Sequence, residues 1–355
     1  MNTQQIIVAI LFLQILIVIH EYGHYWFAKR FGMRVSRFSV GFGPKLFGFK
    51  RQGTEFVISA IPFGGYVQID GMSAQDDIDP KDPAAYPNKP MWQRFLVVLM
   101  GPVANLVLAF VCYWLMFGAG FDRPVFDKAV VGNVRAGGAA ERAGLQAGDA
   151  ITQIAGKTIV TFEDIPAAVQ GSEGEIDVAI VRAGQAQTLR VNPDVQMSSS
   201  VLRKVFRLDQ KSSRALGIEA PTEHVAGVGF GTALVQGAAH TVEKTYGTLQ
   251  AFGSLITGQA KGRLTGLPGI VKLLGGSIER GFSAVLALMA ILSINLFLFN
   301  LFPVPALDGG RLIFLGLEGV RRKPVSVKVE SVVHAVGFVL LFGLILFVSV
   351  RDLFV

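Results

Sequence analysis

Residues 4–30 read QQIIVAILFLQILIVIHEYGHYWFAKR, and the meaning of the whole chain turns on them. From Ile6 to Ile19 there is no charge and Gln14 is the sole polar residue; then come His20, Glu21 and His24. Residues four apart on a helix share a face, so His20 and His24 can aim two imidazoles at one cation with Glu21 beside them. Two neutral imidazoles that hold Zn²⁺, and a carboxylate that takes a proton from water, make up the H-E-x-x-H pattern. A bare match to that pattern also arises by chance in soluble helices. The setting decides, because ionisable groups inside a membrane span cost free energy and mark function.

Composition makes it a span. The chain has 355 residues, of which only 17% are charged, and its mean hydropathy is +0.47. Three further runs, Phe95–Phe121, Phe282–Phe302 and Val332–Val350, reach or approach the roughly 20 residues that cross a bilayer. The first run lacks a basic leader and a small-residue cleavage site, and Trp26 and Phe27 follow it, so it reads as a retained helix. Basic residues gather after the first span (Lys29, Arg30, Arg34, Arg37) and between the third and fourth (Arg311, Arg321, Arg322, Lys323). The positive-inside rule places those connections in the cytoplasm and both termini outside. The net charge of +7 then reflects topology and lipid contact. Nucleic-acid binding would need a basic, aromatic-laced soluble face, which is absent from the sequence. Cys112, the one cysteine, falls in a span and can form no internal disulfide.

Between the second and third spans, residues 125–193 alternate short strands and turns. A strand, a short helix ending at Gly144, a Gly148–Asp149 turn, a strand and a Gly156–Lys157 turn make a small β-rich module. AERAGLQAGDAITQIAGKTI resembles the signature of bacterial PDZ domains, with Gly138 where that family usually has proline. The resemblance implies a groove that takes a peptide or protein ligand as an extra strand; a spacer without a ligand is the other reading. Beyond Pro193 the sequence reads as a polar linker. A helix follows over about 232–258, with Val235, Val242, Tyr246 and Leu249 on one face and Gln236, His240 and Glu243 on the other, a pattern suited to a membrane surface. His240 and His224 read as solvated, and His334, at the start of the last span, as lying near the headgroups.

The third span runs into NLFLFNLFPVPALDGGRL, residues 295–312. Pro303 and Pro305 interrupt the helix, and Gly309–Gly310 permit turns that other residues resist. Irregular backbone at membrane depth is tolerated only where protein or a cavity satisfies it, so the break marks a site and Asp308 is its carboxylate. At about 1.5 Å per residue His20 lies some 20 Å into a hydrocarbon core of roughly 30 Å, and a short fold-back brings Asp308 to the same depth. Two imidazoles and one carboxylate leave a fourth tetrahedral position open, as in catalytic zinc sites. Asn300 offers an amide for a substrate backbone or a developing oxyanion, or else for helix–helix bonding.

HEYGH together with NLFPVPALDGG resembles the site-2 protease family of intramembrane zinc metalloproteases, and the bacterial regulator-of-sigma-E type in particular. SVGFGPKLF, AIPFGGYVQIDG, GPVANL and GLPGI extend the likeness over nearly the whole chain, with a single PDZ domain where the type usually carries two. The resemblance implies Zn²⁺ ligated by His20, His24 and Asp308, Glu21 as catalytic base and Asn300 in substrate handling. It also implies a hairpin of FVISAI and YVQID dipping into the membrane, and a single-pass substrate such as an anti-sigma factor, cut in a bacterial inner membrane. The expected architecture is a polytopic α-helical membrane protein. Residues 1–121 form its first membrane half, 122–195 an extracytoplasmic PDZ domain, 196–227 a linker, 228–281 an amphipathic surface region and 282–355 the second membrane half. Two rivals remain: a membrane adaptor that holds partners through the PDZ domain without turnover, and a metal transporter. The transporter lacks the polar residues it would need in the second and fourth spans.

Overall fold

The computed structural model describes residues 3–73, 79–196, 213–257, 266–323 and 325–353. Its helices are α1 (Thr3–Arg30), α2 (Met91–Ala119), α3 (Ala139–Arg142), α4 (Asp164–Gln170), α5 (Phe230–Ile256), α6 (Leu267–Glu279), α7 (Phe282–Leu301), α8 (Asp308–Arg321) and α9 (Val327–Leu353). The chain forms two compact units, one of Met1–Ala119 with Gly227–Ser349, the other of Gly120–Ala226 with Val350–Val355.

Among the described residues four helical segments are long and apolar enough to cross a bilayer: Ile7–Arg30, Met91–Ala119, Phe282–Leu301 and Val329–Val350. They match the expected spans to within a few residues and define an integral membrane protein. Leu11, Val107, Leu340 and Phe342 point outward, as side chains do when the surrounding solvent is hydrocarbon. α1 and α2 approach closely because glycine lines their contact: a Cβ on Gly23 would overlap the Met100 carbonyl, and one on Gly101 the His24 ring.

α5 keeps its apolar face outward, and what it corrects is the reading of His240. Val235, Val242 and Tyr246 are exposed, whereas Ala233 and Thr241 are buried. Of the polar stripe, Gln236 and Glu243 stay exposed and His240 alone turns inward, its ring meeting Tyr113 edge-on at 4.7 Å and Phe117 at 5.5 Å. His240 is thus half-buried rather than solvated. With lipid outside, apolar side chains lose nothing by facing out, while small and polar ones gain by facing protein.

β1 (Val35–Arg51) and β2 (Thr54–Ile69) form the expected β-structure with a different pairing. FVISAI and YVQID do not pair with each other. Each flanks the first half of β1, so that Val40 is partnered by both Ile58 and Gly65, and Phe38 by both Phe56 and Val67. Gly64, at φ +83°, turns the chain between the two segments. Residues 65–69 have a strand partner on one side only, among the described residues.

The second unit holds an antiparallel sheet of β5 (Ala150–Ile154), β6 (Lys157–Thr158), β7 (Ile176–Arg182) and β8 (Gln185–Val191), in the order β6-β5-β7-β8. Ile151, Ile154, Val178, Ile180 and Val191 bury one face of it with Val131, Leu145 and Leu216. Asp149 is buried and accepts from Arg182 Nε and Nη2 at 2.7 Å. That guanidinium holds the carboxyl below the usual carboxylate range. The stabilisation it lends is complete above the ordinary value of about 4 and is lost as pH falls through the lowered one.

Among the described residues the unit also has three short pairs: β3 (Phe121–Pro124) with β12 (Thr222–Val225), β4 (Asn133–Val134) with β11 (Ile218–Glu219), and β9 (Asp194–Gln196) with β10 (Ser213–Ala215). Residues 213–225, read above as linker, therefore fold back onto this unit and place Leu216 in its core. Strands this short carry no periodicity of their own, and their partners are distant in sequence. Residues 197–212 of the expected linker and 258–265 of the surface region lie outside the described residues. His224 sits in β12, exposed and 2.8 Å from Asp122.

Candidate metal centre

His20, Glu21 and His24 lie on an uninterrupted stretch of α1. His20 Nε2 and His24 Nε2 are 3.2 Å apart. Each is also close to Asp308 Oδ2, at 3.1 Å and 3.4 Å respectively. Asp308 arrives by a different route. α7 stops at Leu301, Pro303 and Pro305 keep the chain out of helix, and Ala306 takes a left-handed φ of +77° before α8 begins at Asp308 itself. Gly309 and Gly310 let the new helix start against the end of the old one, where a Cβ would overlap the carbonyls of Phe302 and Val304. A carboxylate in the first turn of a helix is also favoured by the helix dipole.

The other side of each imidazole is held by protein. His24 Nδ1 is 2.8 Å from the Val97 carbonyl, and His20 Nδ1 is 3.3 Å from the Asn105 amide. Both partners belong to α2, and Asn105 is fully buried. Glu21 accepts from the Val67 N–H through Oε2 at 3.1 Å, which ties it to the partner-free side of β2. Along that strand runs a cavity of about 590 Å³, lined by Tyr66–Ile69 and by Arg94, Arg311, Glu318 and His334. Arg94 closes on Glu318 with bonds of 2.9 and 2.5 Å.

The donor set fits a tetrahedral cation. Ligand atoms about 2.05 Å from zinc sit roughly 3.3 Å from one another, and the three distances here bracket that value. Asp308 Oδ2 is buried and has no hydrogen-bond partner, among the described residues, as a ligand oxygen would be in the absence of its cation.

The structure thus gathers His20, His24 and Asp308 into one cluster with Glu21 on the same helix. It does not bring Asn300 there by any hydrogen bond, since the Asn300 amide donates to Leu296 O at 2.9 Å on its own helix. Asn105 carried no role in the sequence reading although GPVANL was noted. A lone amide in an apolar span was the available signal. His334, expected to stand apart from the site, accepts from the Ala306 N–H at 2.9 Å, two residues before Asp308.

An integral membrane protein that buries two imidazoles and a carboxylate around one point, with a further carboxylate alongside, has the build of a membrane-embedded metallopeptidase. The model of peptidase family M50 matches residues 8–344. The chain belongs to that family, the site-2 type of zinc metalloprotease. It is 33% identical over 374 residues to an Agrobacterium fabrum protein named a putative zinc metalloprotease, with 99% of this chain and 96% of the relative covered. A Rhizobium meliloti protein of the same description is 35% identical over 367 residues, covering 99% and 97%. The zinc metalloprotease RasP of Oceanobacillus iheyensis is 30% identical over 431 residues, covering 98% of each.

Proposed function

We propose that this chain uses His20, His24 and Asp308 to hold Zn²⁺ and Glu21 as general base, and hydrolyses a peptide bond within or near the transmembrane segment of a single-pass membrane protein. The observation that carries the reading is the convergence of two ring nitrogens and one carboxylate oxygen at 3.1–3.4 Å. When bound, the cation supplies Lewis acidity, which polarises a carbonyl and lowers the pKa of water. Val97 O and the Asn105 amide occupy the Nδ1 side of the two rings and so present each Nε2 to the cation; Asn105 does so best with its Oδ1 turned towards His20. Glu21 takes the proton of the attacking water and passes it to the leaving amine. Residues 65–69, with an unpaired side, offer hydrogen bonds to substrate backbone unwound from its helix. Asn300 spends one amide hydrogen on Leu296 and offers the rest of the group to substrate.

The same reading assigns the 120–226 unit as the PDZ domain, on the evidence of its signature, and takes it to recognise a peptide or protein ligand outside the cytoplasm. Both termini lie on that side of a bacterial inner membrane. The cut lies towards the cytoplasmic side, in a substrate such as an anti-sigma factor. Purified protein tested on a tagged single-span substrate checks the chemistry. Glu21→Gln should keep zinc and lower cleavage by about 10²–10⁴-fold, and a zinc chelator should stop the native chain. Equal cleavage by both chains would remove Glu21 from its role.

A further inference from the structure

The turn that delivers Asp308 does not hold itself. Ala306 is a non-glycine residue at φ +77°, a conformation that persists only when its surroundings impose it. Its N–H lies outside any helix, and its acceptor is a side chain from another element, His334 Nδ1 on α9 at 2.9 Å. One helical turn further along α9, Gly337 lies so close to Pro305 that a Cβ there would overlap that residue's backbone. His334 and Gly337 share a face, so α9 grips the Pro305–Ala306 turn at two successive points. Elsewhere the helix is sparsely embedded: 11% of its apolar window is buried, against 39% for α2.

The imidazole is itself braced. It packs 5.7 Å from the Phe314 ring of α8, and its Nε2 faces Glu330 Oε1 at 3.9 Å. Glu330 in turn meets Arg311 Nε at 3.4 Å, and Arg311 donates to Met72 O at 3.1 Å. With Nε2 carrying the proton, Nδ1 is the acceptor the Ala306 amide needs. The histidine is thus held at Nδ1 and against the Phe314 ring, its Nε2 makes no hydrogen bond among the described residues, and it spends its one free lone pair on the turn.

We infer that His334 is a positioning residue: by accepting from the Ala306 N–H it fixes the left-handed turn that aims the Asp308 carboxylate at His20 and His24. The inference rests on the metal reading given above. Loss of the acceptor should therefore act on the third ligand, lowering metal affinity and turnover together, while apo-protein stability changes little.

The test uses the full-length protein in detergent or nanodiscs and three substitutions. In His334→Asn, Oδ1 occupies the position of Nδ1. In His334→Gln the acceptor lies one carbon further out, and in His334→Leu there is none. Zinc affinity is read by competition with a chromophoric chelator, alongside cleavage and the thermal midpoint of the chelated protein. Outer-shell partners of ligands typically govern 10–100-fold in affinity or activity, so Leu and Gln should weaken zinc binding by about tenfold or more, and Asn should remain within about threefold of native. Leu equal to native, or Asn as weak as Leu, would overturn the inference. So would rapid hydrogen exchange of the Ala306 amide in the native protein, a measurement that needs no variant. Native protein that binds no zinc would instead overturn the metal reading, and with it this one.

Discussion

α1 and the α7–α8 joint bring the proposed ligands to the same point by opposite means. α1 is continuous from Thr3 to Arg30, and its two histidines meet because 3.6 residues per turn puts positions four apart on one face. The joint is broken by Pro303, Pro305 and a left-handed Ala306. Its carboxylate meets the histidines only because neighbouring elements dictate the path of the chain. A regular element places a ligand through its own backbone bonds; an irregular one borrows placement from its surroundings. The joint should accordingly be the more easily disturbed of the two.

Removing ligands tests the equality of the two contributions and should have the largest effect. His20→Ala and Asp308→Ala should each weaken zinc binding by more than about 100-fold, beyond the range of outer-shell changes, and abolish cleavage. Metal analysis of the purified variants checks this, and zinc retained at native affinity by Asp308→Ala would break the comparison by leaving the joint without a ligand. Next come the glycines that permit close approach. Gly101→Ala would push a methyl into the His24 ring and Gly309→Ala one into the Phe302 carbonyl. Overpacking of this kind costs about 1–3 kcal/mol. Gly309→Ala should also lower zinc affinity more than Gly101→Ala, because the end of α7 cannot shift without carrying Asp308 with it. The reverse order would mean that α1 is the softer partner. The smallest effect is expected from Ala306→Gly. Glycine relieves a left-handed conformation that disfavours other residues by roughly 1–2 kcal/mol but loses about 0.5–1 kcal/mol of chain entropy. The thermal midpoint should thus hold or rise slightly with cleavage intact, and a clear fall would show that the turn is not strained.

Much of this was legible in the sequence. The four spans follow from hydropathy, because a 30 Å apolar layer demands uninterrupted apolar length. His20, Glu21 and His24 follow from helical spacing, and Asp308 from prolines and glycines that no simple span would carry. The β-rich module's turns at Gly144, Gly148 and Gly156 were readable from glycine itself. Other features were not. FVISAI and YVQID each have strand character, but strand partners are a choice among distant segments, and β1 took the place between them. His240 was read as solvated from its polar neighbours on the helix, but it packs against Tyr113 and Phe117 of α2, a partner that helical spacing does not reveal.

The sequence by itself determined the periodic features: which segments are long and apolar enough to span, which face of α1 carries the two histidines, and which residue types could hold a cation and move a proton. Local backbone geometry acts over a few residues and needs no partner. Tertiary structure alone decided what fixes those side chains in place. Asn105 beside His20, the Val97 carbonyl beside His24, Val67 on Glu21 and His334 on the Ala306 turn are contacts between elements 28 to 85 residues apart. Each exists because a polar group shut away from water must find a partner within the fold, and which partner it finds depends on how the helices pack.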